Sequence, residues 1–171
     1  VRLDTGQLER EFRLLSTTRD NLGELITHTV DLFGMQANRE NITLETDIAP
    51  DLPAVLIYDN FLTDALGRLI DNAIKFSRNK GKRVTVSAKA DDGWVEIAVT
   101  DEGVGIAPQG VTRLFERFRQ INREKMEQQG IGLGLSIVKA LITCMEGEVG
   151  VVSELGMGST FTIRLPEARK D

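Results

Sequence analysis

The sequence predicts an α/β fold, and three observations carry that expectation. Apolar residues at 61, 62, 65, 66, 69, 70, 73 and 74 follow helical spacing, with polar residues opposite. Val95, Ile97 and Val99 alternate as in a strand, and Asp91-Asp92-Gly93 ahead of them reads as a hairpin turn in which glycine supplies positive φ. Gly130-Ile131-Gly132-Leu133-Gly134-Leu135-Ser136 opens a further apolar helix. At 171 residues, 41% of them hydrophobic, the chain is long enough to bury one core, and no internal repeat or low-complexity segment divides it.

The elements follow in order. After a short segment around 8–14, Asn21-Leu22-Gly23-Glu24 has the form of a capping box, and a helix is predicted over 21–38 with apolar positions 22, 25, 26, 30, 33 and 37. Strands are predicted near 42–48 and 54–58, a helix over 60–77, and a hairpin of strands over 83–90 and 94–100. The segment 106–129 is long, polar and loosely patterned, as expected of a lid, with Phe115 and Phe118 as its strong apolar anchors. A helix over 133–145 and a strand pair around Gly156-Met157-Gly158 complete the chain. Cys144, the only cysteine, excludes an internal disulfide and is expected to be a small core residue. His28, the only histidine, is expected to be a polar helix residue.

Four stretches carry chemistry. Three alternate glycines before a helix bring main-chain N–H groups close to an anion where the helix N-terminus favours negative charge. Asp101-Glu102-Gly103-Val104-Gly105-Ile106, at a strand end, suits a purine pocket: Asp101 accepts from an exocyclic amine while Gly103 and Gly105 let the base approach the main chain. On the helix over 60–77, Arg68, Asn72 and Lys75 are neighbours; Asn72 offers a neutral oxygen to Mg²⁺ and Lys75 a cation one turn away. Gly156-Met157-Gly158-Ser159-Thr160-Phe161 sets a hydroxyl beside a glycine turn. Each stretch alone also reads as an ordinary turn or solvated helix face.

In this order the segments resemble the ATP-binding catalytic domain of bacterial sensor histidine kinases, within the group that includes gyrase, Hsp90 and MutL-type ATPases. The resemblance covers nearly the whole chain. Residues 72–77 resemble the N box, 101–105 the first glycine box, Leu114-Phe115-Glu116-Arg117-Phe118 the F box, 130–135 the second glycine box and 156–161 the third. The resemblance implies a Bergerat-type fold, a two-layer α/β sandwich with a mixed sheet. It assigns Asn72 to Mg²⁺, Lys75 to phosphate, and Asp101, with Gly103, Gly105 and Ile106, to the adenine. Phe118 and Arg119 enter from the lid, and Gly130, Gly132, Leu133, Gly134 and Leu135 lie at the phosphates. Ser159 or its neighbour Thr160 lies near the adenine; the sequence does not choose between the two hydroxyls.

Two positions depart from the family pattern. Arg68 stands where an Asn is usual, and its partner is left open among Asp64, Asp71 and a phosphate oxygen. Phe118 is followed by Arg119-Gln120 instead of an aromatic and then an Arg.

The implied activity is donation of the ATP γ-phosphoryl group to a histidine on a separate dimerisation domain, for transfer to a response regulator, within a homodimeric parent. His28, followed by Thr29-Val30, lacks the acidic neighbour of the family's acceptor, so this chain is expected to bind ATP without completing the reaction. Residues 1–16 resemble the end of the dimerisation-domain helix and its connection, leaving 17–171 as the ATP-binding domain. Two rivals stay open: a gyrase- or Hsp90-like ATPase, which needs a Glu where Arg68 stands, and a degenerate nucleotide-sensing scaffold. A formal charge of −5 and the absence of a Lys/Arg run argue against a nucleic-acid surface. One cysteine and no signal peptide fit a cytoplasmic domain, whether its parent is soluble or membrane-anchored.

Overall fold

The computed structural model describes residues 16–19, 21–58, 60–77, 82–106 and 132–168. Five strands form one mixed sheet: β2 (Thr43–Ile48), β4 (Arg83–Asp91), β5 (Trp94–Asp101), β7 (Gly158–Pro166) and β6 (Glu148–Glu154), in that spatial order. β2 runs parallel to β4, and the other three pairings are antiparallel. β1 (Ser16–Arg19) and β3 (Val55–Tyr58) pair antiparallel as a separate ribbon, tied to the end of β7 by a bridge between Val55 and Glu167. The helices are α1 (Leu22–Asp31), α2 (Gly34–Arg39), α3 (Phe61–Phe76) and α4 (Gly132–Cys144).

The sheet's inward phase packs Val84, Val86, Ala88, Val95, Ile97, Val99, Phe161, Ile163 and Leu165 against the helices. The predicted stripe of α3 is buried at 62, 65, 66, 69, 70, 73 and 74, with Phe61 partly covered. α3 contacts α1, α4 and β5, which places it at the centre of the helical layer. The two-layer α/β sandwich with a mixed sheet is the architecture observed. The β4–β5 turn is the two-residue loop Asp92-Gly93, with φ of +46° and +84°. Two positive φ values match the turn to the right-handed twist of the strands.

Four expectations are corrected. The helix expected over 21–38 is two helices, because the chain tightens at its middle: Leu32 N–H reaches both His28 O and Thr29 O, and Phe33 N–H reaches Val30 O. Phe33 then turns its ring onto Gly67 of α3, where an added Cβ would stand 3.3 Å from it. The capping box does not form, since Asn21 Nδ2 donates to Glu24 Oε2 at 2.9 Å and its side chain bonds no helix N–H. Cys144 is exposed. The buried stripe of α4 runs through Leu135, Val138, Ile142 and Met145, and Cys144 lies about 200° around the helix from Ile142. Finally, β1 was not expected. His28 is exposed on α1, as expected. The segment around 8–14 and the lid expected over 107–129, with Phe115, Phe118 and Arg119, lie outside the described residues.

α4 ends in a six-residue capping turn: Gly147 N–H bonds Ile142 O at 2.9 Å and Glu146 N–H bonds Thr143 O at 3.0 Å. Glu146 holds the left-handed position, φ +60°, that such turns usually give to glycine. Glycine stands one place later, because a Cβ on Gly147 would lie 2.5 Å from Arg164 O and 2.7 Å from Ile142 Cγ2. Glu146→Gly is therefore expected to stabilise the domain by about 1 kcal/mol, read by urea unfolding. A destabilised variant would contradict the strain argument.

Candidate nucleotide site

The inner face of the sheet is apolar for two successive rows and polar in the third. Val149, Ile163 and Ile97 stand side by side across β6, β7 and β5, then Val151, Phe161 and Val99, then Ser153, Ser159 and Asp101. Asp101 is 3% exposed and Ser159 4% exposed, so these two members of the polar row are enclosed, with Ser153 partly covered at its end. Burial pushes the Asp101 carboxyl above its ordinary range, opposed by hydrogen bonds from the main chain of Gly103 and Ser159. Gly103 N–H donates to Asp101 Oδ1 at 2.9 Å, while Oδ2 is buried with no partner.

The loop after Asp101 is sewn between α3 and the β6–β7 hairpin. A Cβ on Gly103 would lie 2.3 Å from Phe76 O and 2.9 Å from Asp101 Oδ1; one on Gly105, at φ +70°, would lie 2.1 Å from Glu154 O. Gly156 N–H bonds Val104 O at 2.7 Å, and Ile106 N–H bonds Ser153 Oγ at 2.7 Å. Glycine is required here because main chain meets main chain.

From α3, Asn72 is 3% exposed with Nδ2 unpartnered, and Ser77, at the helix's C-cap, is 1% exposed with Oγ unpartnered. With Asp101 Oδ2, these are three of the four orphaned buried polar atoms among the described residues. Buried polar groups are paired in most folded proteins, so three orphans from neighbouring segments mark a place built to receive a polar ligand.

The expected site residues divide as follows. Asp101, Gly103, Gly105, Ile106 and Ser159 come together. The Ser159 or Thr160 alternative separates by face: Ser159 lies inward beside Asp101, whereas Thr160 pairs outward with Thr100 at 3.1 Å between hydroxyl oxygens. Asn72 faces inward from α3, unlike its neighbours Arg68 and Lys75. Lys75 Nζ is engaged by Asp71 at 2.9 Å, and Asp71 also accepts from Gln36 Nε2 at 2.8 Å. Arg68 Nε pairs with Asp64 at 2.8 Å, one of the partners the sequence left open. Gly132, Leu133 and Gly134 form the first turn of α4 itself, and the Leu135 side chain is core. Gly130, Phe118 and Arg119 lie outside the described residues. Among the described residues no group of three or more His, Cys, Asp or Glu is arranged for a metal ion.

Ser77 and Ser153 were missed. Ser153 had a readable signal, a hydroxyl in the inward phase set by Val149 and Val151; Ser77 had none beyond its place after a helix.

The family described as histidine kinase-, DNA gyrase B-, and HSP90-like ATPase matches residues 57–169. The sensor-like histidine kinase SenX3 of Mycolicibacterium smegmatis is 34% identical over 166 residues, covering 96% of this chain and 43% of that protein. The chain spans under half the length of the curated relatives it matches. Full-length ShkA, solved in complex with AMPPNP, superposes with a TM-score of 0.76 at 29% identity, over 99% of this chain and 41% of that one. The catalytic domain of the histidine kinase ThkA superposes with a TM-score of 0.75 at 23% identity, over 89% and 95%, a likeness of fold. This chain belongs to the histidine kinase-, DNA gyrase B- and HSP90-like ATPase family, with the fold of a histidine kinase catalytic domain.

Proposed function

We propose that this chain is the ATP- and Mg²⁺-binding catalytic domain of a sensor histidine kinase, donating the γ-phosphoryl group to a histidine on a separate dimerisation domain. The observation that carries the reading is Asp101, whose carboxylate is held at one oxygen by Gly103 N–H and left with the other buried and unfilled. The adenine amine donates to that oxygen, and the glycine-lined loop lets the ring lie against main chain. The first turn of a helix offers N–H groups that have no partner within the helix, and the positive end of its dipole, so the start of α4 is a suitable seat for phosphates.

Asn72 is the residue suited to Mg²⁺. Its amide is buried with one end unpartnered, and a half-turn about its last bond brings the oxygen to that end. Mg²⁺ takes oxygen ligands and needs only one or two from protein when phosphates supply others; held by Asn72, it would offset charge on the phosphate oxygens. Lys75 reaches phosphate by leaving Asp71, because a half-exposed ion pair within one helix contributes only a few tenths of a kcal/mol. Arg68 stays protonated and cannot activate water, which favours transfer over hydrolysis and speaks against the ATPase rival.

On this reading 17–171 is the catalytic domain, and 1–16 belongs to the end of the dimerisation helix and its connection. The partners are that dimerisation domain, carried by a homodimeric parent, and a response regulator. The domain works in the cytoplasm, where its donor is. No helix among the described residues is long and apolar enough to cross a membrane.

Titration calorimetry with ATP, with and without Mg²⁺, is expected to show Mg²⁺-dependent binding that Asn72→Ala weakens by about tenfold. Supplying a dimerisation domain is expected to produce phosphohistidine. Brisk phosphate release without an acceptor would reject the kinase reading in favour of an ATPase.

A further inference from the structure

Ser153 stands at the end of the polar row. Its Oγ lies 2.7 Å from Ile106 N, 2.7 Å from Ser159 Oγ and 3.2 Å from Gly158 O. A hydroxyl has one proton and two acceptor lone pairs. Ile106 N–H donates and takes one lone pair. Gly158 O can only accept, so it receives the Ser153 proton. The second lone pair of Ser153 then accepts the proton of Ser159.

The alternative sends the Ser153 proton to Ser159 and strands the Ser159 proton. Ser159 is 4% exposed and its hydroxyl makes no hydrogen bond to Asp101 Oδ2, so among the described residues the stranded proton would have no acceptor in bonding reach. Burying an unmade hydrogen bond is unfavourable, which selects the first arrangement. In that arrangement the Ser159 hydroxyl turns its donor toward Ser153 and keeps only lone pairs for the pocket.

We propose that Ser153 is a positioning residue that sets purine specificity: by drawing away the Ser159 proton, it leaves a base edge made of acceptors alone, Ser159 Oγ and Asp101 Oδ2. Such an edge takes a purine with an amino group at C6. It repels a 6-oxo purine, whose O6 is itself an acceptor. The inference rests on the adenine reading above and deepens it by naming the residue that orients the Ser159 hydroxyl.

The test measures dissociation constants for ATP and for ITP, its 6-oxo counterpart, with Mg²⁺ on the whole chain. Wild type is expected to prefer ATP. Ser153→Ala frees the Ser159 proton to turn toward O6, and is expected to narrow the ATP-to-ITP preference by about five- to tenfold, the effect of one hydrogen bond. Ser153→Thr keeps the hydroxyl in a residue that suits a strand, and is expected to hold the wild-type preference. Ser159→Ala removes one repelling acceptor and is expected to narrow the preference too, so it carries the test if Ser153→Ala does not fold. An unchanged preference in Ser153→Ala or Ser159→Ala, or a narrowed one in Ser153→Thr, would overturn the proposal. Failure of the wild-type chain to bind either nucleotide would instead overturn the nucleotide reading, and this inference with it.

Discussion

Asp101→Asn is expected to weaken ATP binding by roughly 5- to 150-fold and, at the same time, to stabilise the nucleotide-free domain at neutral pH. The binding loss follows from turning an acceptor into an amide that presents NH₂ to the incoming amine, leaving a buried donor unmatched at a cost of about 1–3 kcal/mol. The gain in stability has a separate cause. Burial raises the pH at which Asp101 ionises in the folded state, more than the Gly103 and Ser159 hydrogen bonds lower it. A carboxyl with a raised folded value contributes stability that is fully present below its ordinary range, near pH ~4, and is lost as pH rises through the folded value. Asn keeps an oxygen for Gly103 N–H without a charge to bury. The variant should therefore melt higher than wild type above that window, with the difference shrinking as pH falls toward ~4. Calorimetry and thermal melts between pH ~4 and ~8 read both effects. Unchanged ATP affinity would remove Asp101 from the adenine site, and a wild-type pH profile would remove the burial argument.

The sheet and the acidic end of the site were legible for one reason: the strand period carries through Val95, Ile97 and Val99 to Asp101, so a carboxylate falls in the inward phase. The Asp92-Gly93 turn was legible from residue types that tolerate positive φ. What periodicity could not show is where it breaks. The apolar positions of 22–37 stay in helical phase across Leu32 and Phe33, so the division into α1 and α2 came from Phe33 packing on Gly67, a contact made between distant segments. β1, Ser-Thr-Thr-Arg, has no alternation and owes its existence to pairing with β3. The same holds within the site. Ser153 matters because Ile106 lies against it, 47 residues away in sequence. Lys75 was correctly placed on the helix, but its engagement by Asp71 depends on rotamers that sequence spacing permits without requiring.

Gly158→Ala is expected to cost about 3–5 kcal/mol. Gly158 has φ of +120°, a conformation in which an L residue is strained, and its added Cβ would stand 2.1 Å from Asp101 O and 3.0 Å from Glu102 Cα. Both neighbours are main chain and cannot rotate aside. Any relief must come from separating β7 from the end of β5, and that movement shifts the residue whose carboxylate is the proposed adenine acceptor. ATP binding should therefore fall even at temperatures where the variant remains folded. Gly150→Ala supplies the comparison, because the space beyond that glycine is empty for 4 Å and its backbone is not in the positive-φ range. There the change is expected to stay within about 0.5 kcal/mol of wild type. Urea unfolding of the two variants side by side separates a general intolerance of alanine in these edge-to-centre strands from the specific contact at the pocket. A Gly158→Ala loss below about 1 kcal/mol would mean that the β5 end yields easily, and a yielding strand end could not hold Asp101 as a fixed acceptor.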